Sequence, residues 1–185
     1  MINPNRKSTA AKRHAEVEDL EMFGLRTRFG SVGLHVYATD YLASARALPA
    51  MASLPFAPSR YFLACRALEL ALKALLSIKG QRLANLAGGQ YAHDLSNLLD
   101  EAGNVGIGNV VTLGQDTREH IRDAAKYYGE KVLEYPALME ALSAYPHLPR
   151  NTSLLCDFTA NCSTRAGYLV NRLDCQYPRC PGAVH

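Results

Sequence analysis

Arg66, Glu69, Lys73 and His93 are the residues of this chain whose types and spacing suit chemistry. The first three fall at i, i+3 and i+7. On a helix of ~3.6 residues per turn they therefore share one stripe. Glu69 precedes Lys73 by one helical turn, the favourable order for an ion pair, and Arg66 comes one turn before Glu69. A carboxylate flanked by two cations reads either as an ion-pair strip at the edge of a helical bundle or as a polar site lining a groove. His93 opens a second apolar segment as His93-Asp94-Leu95. A histidine there caps a helix by bonding the backbone or a nearby carboxylate. Alternatively it supplies an acid/base or phosphate contact beside Glu69 and Lys73. Tyr127 and Tyr128 divide in the same way. Tyr128 falls on a core face, and Tyr127 falls on another face, where it can stack on a base or line a groove between two copies.

The elements that must position these residues read as helices. From Arg60 to Gly80, Tyr61, Cys65, Leu68, Leu72, Leu75 and Leu76 form one apolar face. Ala64, Ala67, Ala71 and Ala74 form a second, and Leu63 and Leu70 a third. A helix apolar on nearly all sides belongs at the centre of its domain. Its alanine face invites close approach by another helix, and Gly80 supplies a stop. An earlier helix is expected over Val32 to Leu48, with Leu34, Tyr37, Tyr41, Ala45 and Leu48 on one face and Pro49 ending it. Pro49 to Ser59 is a connector, and Gln81 to Ala92 a loop with a Gly88-Gly89 pair.

His93 to Ala102 repeats Leu95, Leu98, Leu99 and Ala102 at helical spacing, with Asp94 in its first turn and Gly103 as its stop. Gly103 to Gly114 lacks the Lys-Ser/Thr ending of a phosphate-binding loop and reads as a linker. Asp116-Thr117-Arg118-Glu119 matches a capping box with Asp as the cap. The helix it opens turns Ile121, Ala124, Ala125, Tyr128 and Val132 inward and ends before Pro136. A last helix is expected from about Ser153 to Leu173, with Leu155, Phe158, Cys162, Ala166, Leu169 and Leu173 on its core face. Thr159, Thr164 and Gly167 are poor helix formers, so tertiary packing must hold it. No segment shows sustained strand alternation, and the expected fold class is all-α, an up-and-down bundle of four to five helices.

Composition is compatible with one such domain of 185 residues, 48% of them hydrophobic. No run approaches the ~20 apolar residues of a membrane span, so no membrane role is expected. Residues 1–29 read as a polar arm, in which Arg6, Lys7, Lys12 and Arg13 precede Glu16, Glu18, Asp19 and Glu21. Residues 30–174 form the bundle, and 175–185 a tail rich in Pro and Cys. The polar start has no apolar leader segment, and five cysteines without a CxxC pair suit a reducing cytoplasm. Cys175 and Cys180 lack the further ligands a metal would need, so neither metal nor cofactor is expected. A net charge of +3 permits contact with nucleic acid without arguing for it.

The segment Ala67-Leu68-Glu69-Leu70-Ala71-Leu72-Lys73-Ala74-Leu75-Leu76, followed after a gap by His93-Asp94-Leu95 and Leu98-Leu99, resembles the HEPN domain. Tyr127-Tyr128 with Glu134-Tyr135-Pro136 is similar to the end of that family's last core helix. The resemblance covers roughly Leu34 to Pro136. It implies an all-helical, dimerising bundle. Many such domains are metal-independent endoribonucleases of toxin–antitoxin and other defence systems. Others are non-catalytic and bind RNA, a nucleotide or a nucleotidyltransferase partner.

The ribonuclease members carry an Arg and, after a short spacer, a His at the start of the last core helix. The His serves as acid or base toward the 2′-hydroxyl while the Arg holds the phosphate. Here the corresponding stretch offers Arg118-Glu119-His120, with one residue between. Arg28 with His35 and Arg179 with His185 have the looser spacing but lie on other elements. The resemblance therefore implies a non-catalytic, homodimeric binding protein acting on RNA, a nucleotide or a protein partner such as an antitoxin, with Arg66, Glu69, Lys73, His93 and Tyr127 as its binding residues. The alternatives are a divergent endoribonuclease using Arg118, His120 and Arg122, or a structural helical adaptor.

Overall fold

In the computed structural model, residues 18–22, 25–49, 57–106, 114–129 and 148–176 are described. Six α-helices carry the fold among them: α1 (Ser31–Ala47), α2 (Pro58–Ile78), α3 (Leu83–Ala87), α4 (Leu95–Asn104), α5 (Gln115–Gly129) and α6 (Leu148–Gln176). The helical body agrees with the all-α reading, with six helices among the described residues where four to five were expected. α2 is its axis, because α1, α3, α4, α5 and α6 all pack against it. Thirteen of its residues are buried, from Tyr61 to Leu76. The four alanines Ala64, Ala67, Ala71 and Ala74 are fully buried inside this one chain. Small side chains let helix backbones approach closely, which is what a six-helix body needs of its central member.

Two antiparallel strands, β1 (Glu18–Met22) and β2 (Leu25–Phe29), precede the helices, where the sequence had been read as part of a polar arm. Their register sets Asp19 opposite Arg28 and Glu21 opposite Arg26. The pairing depends on a partner strand that neither segment shows by itself.

Helix α1 begins at Ser31 rather than Val32 and buries Ser31, Leu34, Ala38, Leu42 and Ala45. The expected face is corrected here: Tyr37 and Leu48 are exposed and Tyr41 only half-buried. The chain turns the small side chains Ala38 and Ala45 inward, with Tyr37 left outside and Tyr41 packed at the margin of the core. Helix α2 ends in a Schellman motif. The Gln81 N–H donates to the Leu76 carbonyl and the Gly80 N–H to that of Ser77, both at 3.0 Å, with Gly80 at φ +97°. Within the expected loop 81–92 lie the short α3 and a 3-10 turn over Gly89–Tyr91.

Two further boundaries move. Helix α4 runs through Gly103 to Asn104, and the residue in the left-handed region is Gly106, at φ +79°. Helix α5 starts at Gln115 with Asp116 inside its first turn, so Asp116 is not its cap. Glu119 instead accepts the Gln115 side-chain amide at 2.9 Å. The inward set Ile121, Ala124 and Tyr128 is as read. On α6, Leu155, Phe158, Cys162 and Ala166 are buried and Leu169 packs on the core, again as read. Gly167 lets α6 meet α1, since a Cβ there would lie 2.9 Å from the His35 ring. Val132, the Glu134-Tyr135-Pro136 segment, the linker 107–113 and the tail beyond 176 lie outside the described residues.

Candidate functional site: a buried carboxylate that gathers α2, α5 and the α4 entry

Glu69 is an anion placed at the centre of the most extensively buried helix among the described residues, with its side chain 1% exposed. A bare carboxylate there would be untenable, and a buried charge persists only when paired and hydrogen-bonded. Four side chains meet that requirement. Lys73 Nζ donates to Oε1 at 2.7 Å, and Arg66 Nη1 donates to Oε2 at 2.8 Å. The Tyr128 hydroxyl donates to Oε2 from α5. His93 Nδ1 lies 3.2 Å from the same oxygen.

Burial by itself pushes the Glu69 carboxyl up. The charges of Lys73 and Arg66, with hydrogen bonds from Lys73 and Tyr128, outweigh it and hold the group at about 2. It is ionised throughout the neutral range. Burial, with the Glu69 charge and its hydrogen bond, pushes the Tyr128 phenol well above its ordinary value, so this tyrosine is a fixed donor. The Arg66 guanidinium, although burial disfavours its charge, is held above its ordinary value by Glu69.

His93 reaches the cluster because of its backbone. It sits at φ +57°, the left-handed region that non-glycine residues rarely occupy. The next residue, Asp94, is the true N-cap of α4 and accepts the Asn97 backbone N–H at 3.0 Å. The capping duty expected of His93 is thus carried by Asp94, and the imidazole is turned to the carboxylate. Its ring stands edge-on to Tyr128, with centroids 6.0 Å apart. Phe62, one turn before Arg66, tilts onto Tyr128 from the other side at 5.8 Å.

Four of the five expected binding residues (Arg66, Glu69, Lys73 and His93) therefore converge. The α2 stripe is no bundle-edge strip, because Glu69 and Lys73 are buried. Tyr127 is half-buried against the core, and its neighbour Tyr128 enters the cluster instead. Sequence reasoning placed Tyr128 in the core but gave it no polar role. Its periodicity with Ile121 and Ala124 signals burial, and no local pattern links it to a carboxylate 59 positions away.

The other candidate group is dispersed. Arg118 and His120 are two positions apart on α5, hence about 200° apart around it. Arg122 is exposed and pairs with Asp100 of α4 at 3.2 Å. Among the described residues, no group of three or more His, Cys, Asp or Glu side chains is arranged to hold a metal ion. No helix of the described residues is long and apolar enough to cross a membrane.

What the cluster offers to solvent is an Arg/His edge above a buried Lys–Glu pair. One carboxylate against two cations leaves it at +1 before His93 gains a proton. Arg66, its side chain 29% exposed, spends Nη1 on Glu69; His93 is 46% exposed. Such an edge suits an oxyanion. Compared with known proteins, the chain matches no family model, no curated protein and no solved structure.

Proposed function

We propose that this chain is a HEPN-like, non-catalytic binding protein that works as a homodimer in the cytoplasm. Its ligand is RNA or a nucleotide, and a protein partner such as an antitoxin or nucleotidyltransferase completes its role in a bacterial defence or toxin–antitoxin setting. One observation carries the reading: the buried Glu69 draws Arg66, Lys73 and His93 into a net-positive cluster with a solvent-facing Arg/His edge. Guanidinium and imidazole at that edge suit the phosphate oxygens of RNA or a nucleotide. The helical body around α2, with His93-Asp94-Leu95 opening a helix that packs on α2 and α5, is what the resemblance leads one to expect.

The non-catalytic reading is supported by α5. The family's Arg–His pair needs both side chains on one side of a cleft, and the spacing of Arg118 and His120 sends them to different sides of the helix. The test is fluorescence anisotropy with labelled single-stranded RNA and a labelled nucleotide at two salt concentrations, alongside a metal-free single-turnover cleavage assay. Weak, salt-sensitive binding without cleavage is expected. Cleavage lost in either Arg118→Ala or His120→Ala would replace the reading with the divergent endoribonuclease, and no binding to either probe would sink it.

A further inference from the structure

We infer that Arg66 and His93 form a proton-linked site for a phosphate oxyanion, in which the anion is held with His93 as the imidazolium. The inference rests on the reading of the chain as a binder of RNA or nucleotide. Its starting point is the tautomer of His93. Nδ1 lies 3.2 Å from Glu69 Oε2, an atom with lone pairs and no proton. A lone pair on Nδ1 would face another lone pair, so Nδ1 carries the hydrogen and donates. The Arg66 Nη1 contact to the same ring nitrogen, at 3.4 Å, is the longer of the two and sets donor against donor. With its proton on Nδ1, neutral His93 presents a lone pair at Nε2, which repels an oxyanion. Protonated His93 presents an N–H there and attracts one.

The groups facing His93 determine how strongly the two events are coupled. From α2 come Glu69, Arg66 and Lys73; from α5 comes the Tyr128 hydroxyl; Asp94 adjoins it at the cap of α4. Glu69 brings one negative charge to the ring, and Arg66 and Lys73 bring two positive ones. An anion laid against Arg66 adds negative charge beside the ring, so binding and proton uptake assist each other. Arg66 is suited to its share of the contact. Nη1 is anchored on Glu69, and the same planar fork can donate from Nε–H and Nη2–H to two oxygens of one phosphate. The strained backbone of His93 holds the imidazole beside it.

The probes are hexauridylate, whose phosphodiester charge is constant between pH 5.5 and 8, and uridine monophosphate. The first represents an RNA strand and the second a free nucleotide. Calorimetry across that pH range is combined with NMR titration of the His93 ring signals. Above the His93 midpoint the affinity for hexauridylate should fall by about tenfold per pH unit, as uptake of one proton requires; uridine monophosphate, whose own second ionisation lies at about 6, shows only whether a free nucleotide binds. Saturating ligand should raise the midpoint. His93→Asn tolerates the left-handed backbone and does not titrate; it should remove the pH dependence. Arg66→Gln should weaken binding at least about tenfold at pH 5.5.

Binding that is equal at both ends of the range, or pH dependence that persists in His93→Asn, overturns the inference and leaves the binding reading standing. An unmoved His93 midpoint in the saturated complex does the same. Failure of both probes to bind at any pH overturns both.

Discussion

Glu69 shows how one residue organises the candidate site, because an ionised carboxylate inside an apolar helix dictates what surrounds it. Removing one partner of such a group leaves the others buried without compensation, which costs about 3–5 kcal/mol. Glu69→Gln should therefore lose that much in urea unfolding, and Glu69→Met combined with Lys73→Met should lose distinctly less. Equal losses would mean that Lys73 is not the main partner. The same carboxyl sets an acid limit. Its folded value is about 2 against an ordinary 4.5, a depressed group, so its contribution is complete above about pH 4.5 and is lost as pH falls toward 2. Stability measured against pH should fall through that window in the native chain, with a shallower slope in Glu69→Gln. A parallel profile would assign the acid sensitivity to other carboxylates.

Among the elements, α2 and the entry to α4 carry the argument. Leu68 and Leu72 are fully buried on α2, so Leu68→Ala or Leu72→Ala should cost about 2–5 kcal/mol in denaturant titration. A loss under about 1 kcal/mol would show that the helix relaxes around the cavity or is less enclosed. At the α4 entry, Asp94 accepts both the Asn97 backbone N–H and its side-chain amide. Asp94→Ala should cost about 1 kcal/mol as a lost cap. It should also shift the His93 ring signals, since the cap fixes the turn that aims the imidazole at Glu69. Unchanged His93 signals would mean that Glu69 alone holds the ring.

For the whole molecule, the homodimer expectation needs a different basis from the one the sequence offered. The resemblance implies a dimer, and an alanine face on α2 that invites close approach by another helix could have met a second copy. The chain covers it itself, with Ala64, Ala67, Ala71 and Ala74 all fully buried. A dimer must then use an outer surface, where Val32, Val36, Tyr37 and Tyr168 are large apolar side chains left exposed. Light scattering should still give twice the 20.3 kDa chain mass at micromolar concentration. A single-chain mass would refute the dimer without touching the helical fold, for which a helix-dominated far-ultraviolet spectrum is expected.

By itself the sequence determined the five longer helices, the central place of α2 and the shared stripe of Arg66, Glu69 and Lys73. Each follows from periodicity along one segment, which is local information. It also determined the Gly80 stop and the start of α4 at His93-Asp94-Leu95, because helix ends have their own chemistry. The paired strands at 18–22 and 25–29, the rotated face of α1 and the meeting of Tyr128 with Glu69 were decided only by tertiary structure. In each case a choice depends on partners elsewhere in the chain: which strand pairs with which, which small side chains nest against α2, which hydroxyl reaches a buried carboxylate. The most telling instance is His93. Its neighbours in sequence mark it as a helix cap, but the cap was taken by Asp94. An anion 24 positions upstream claimed the imidazole, since a buried charge must recruit every donor within reach.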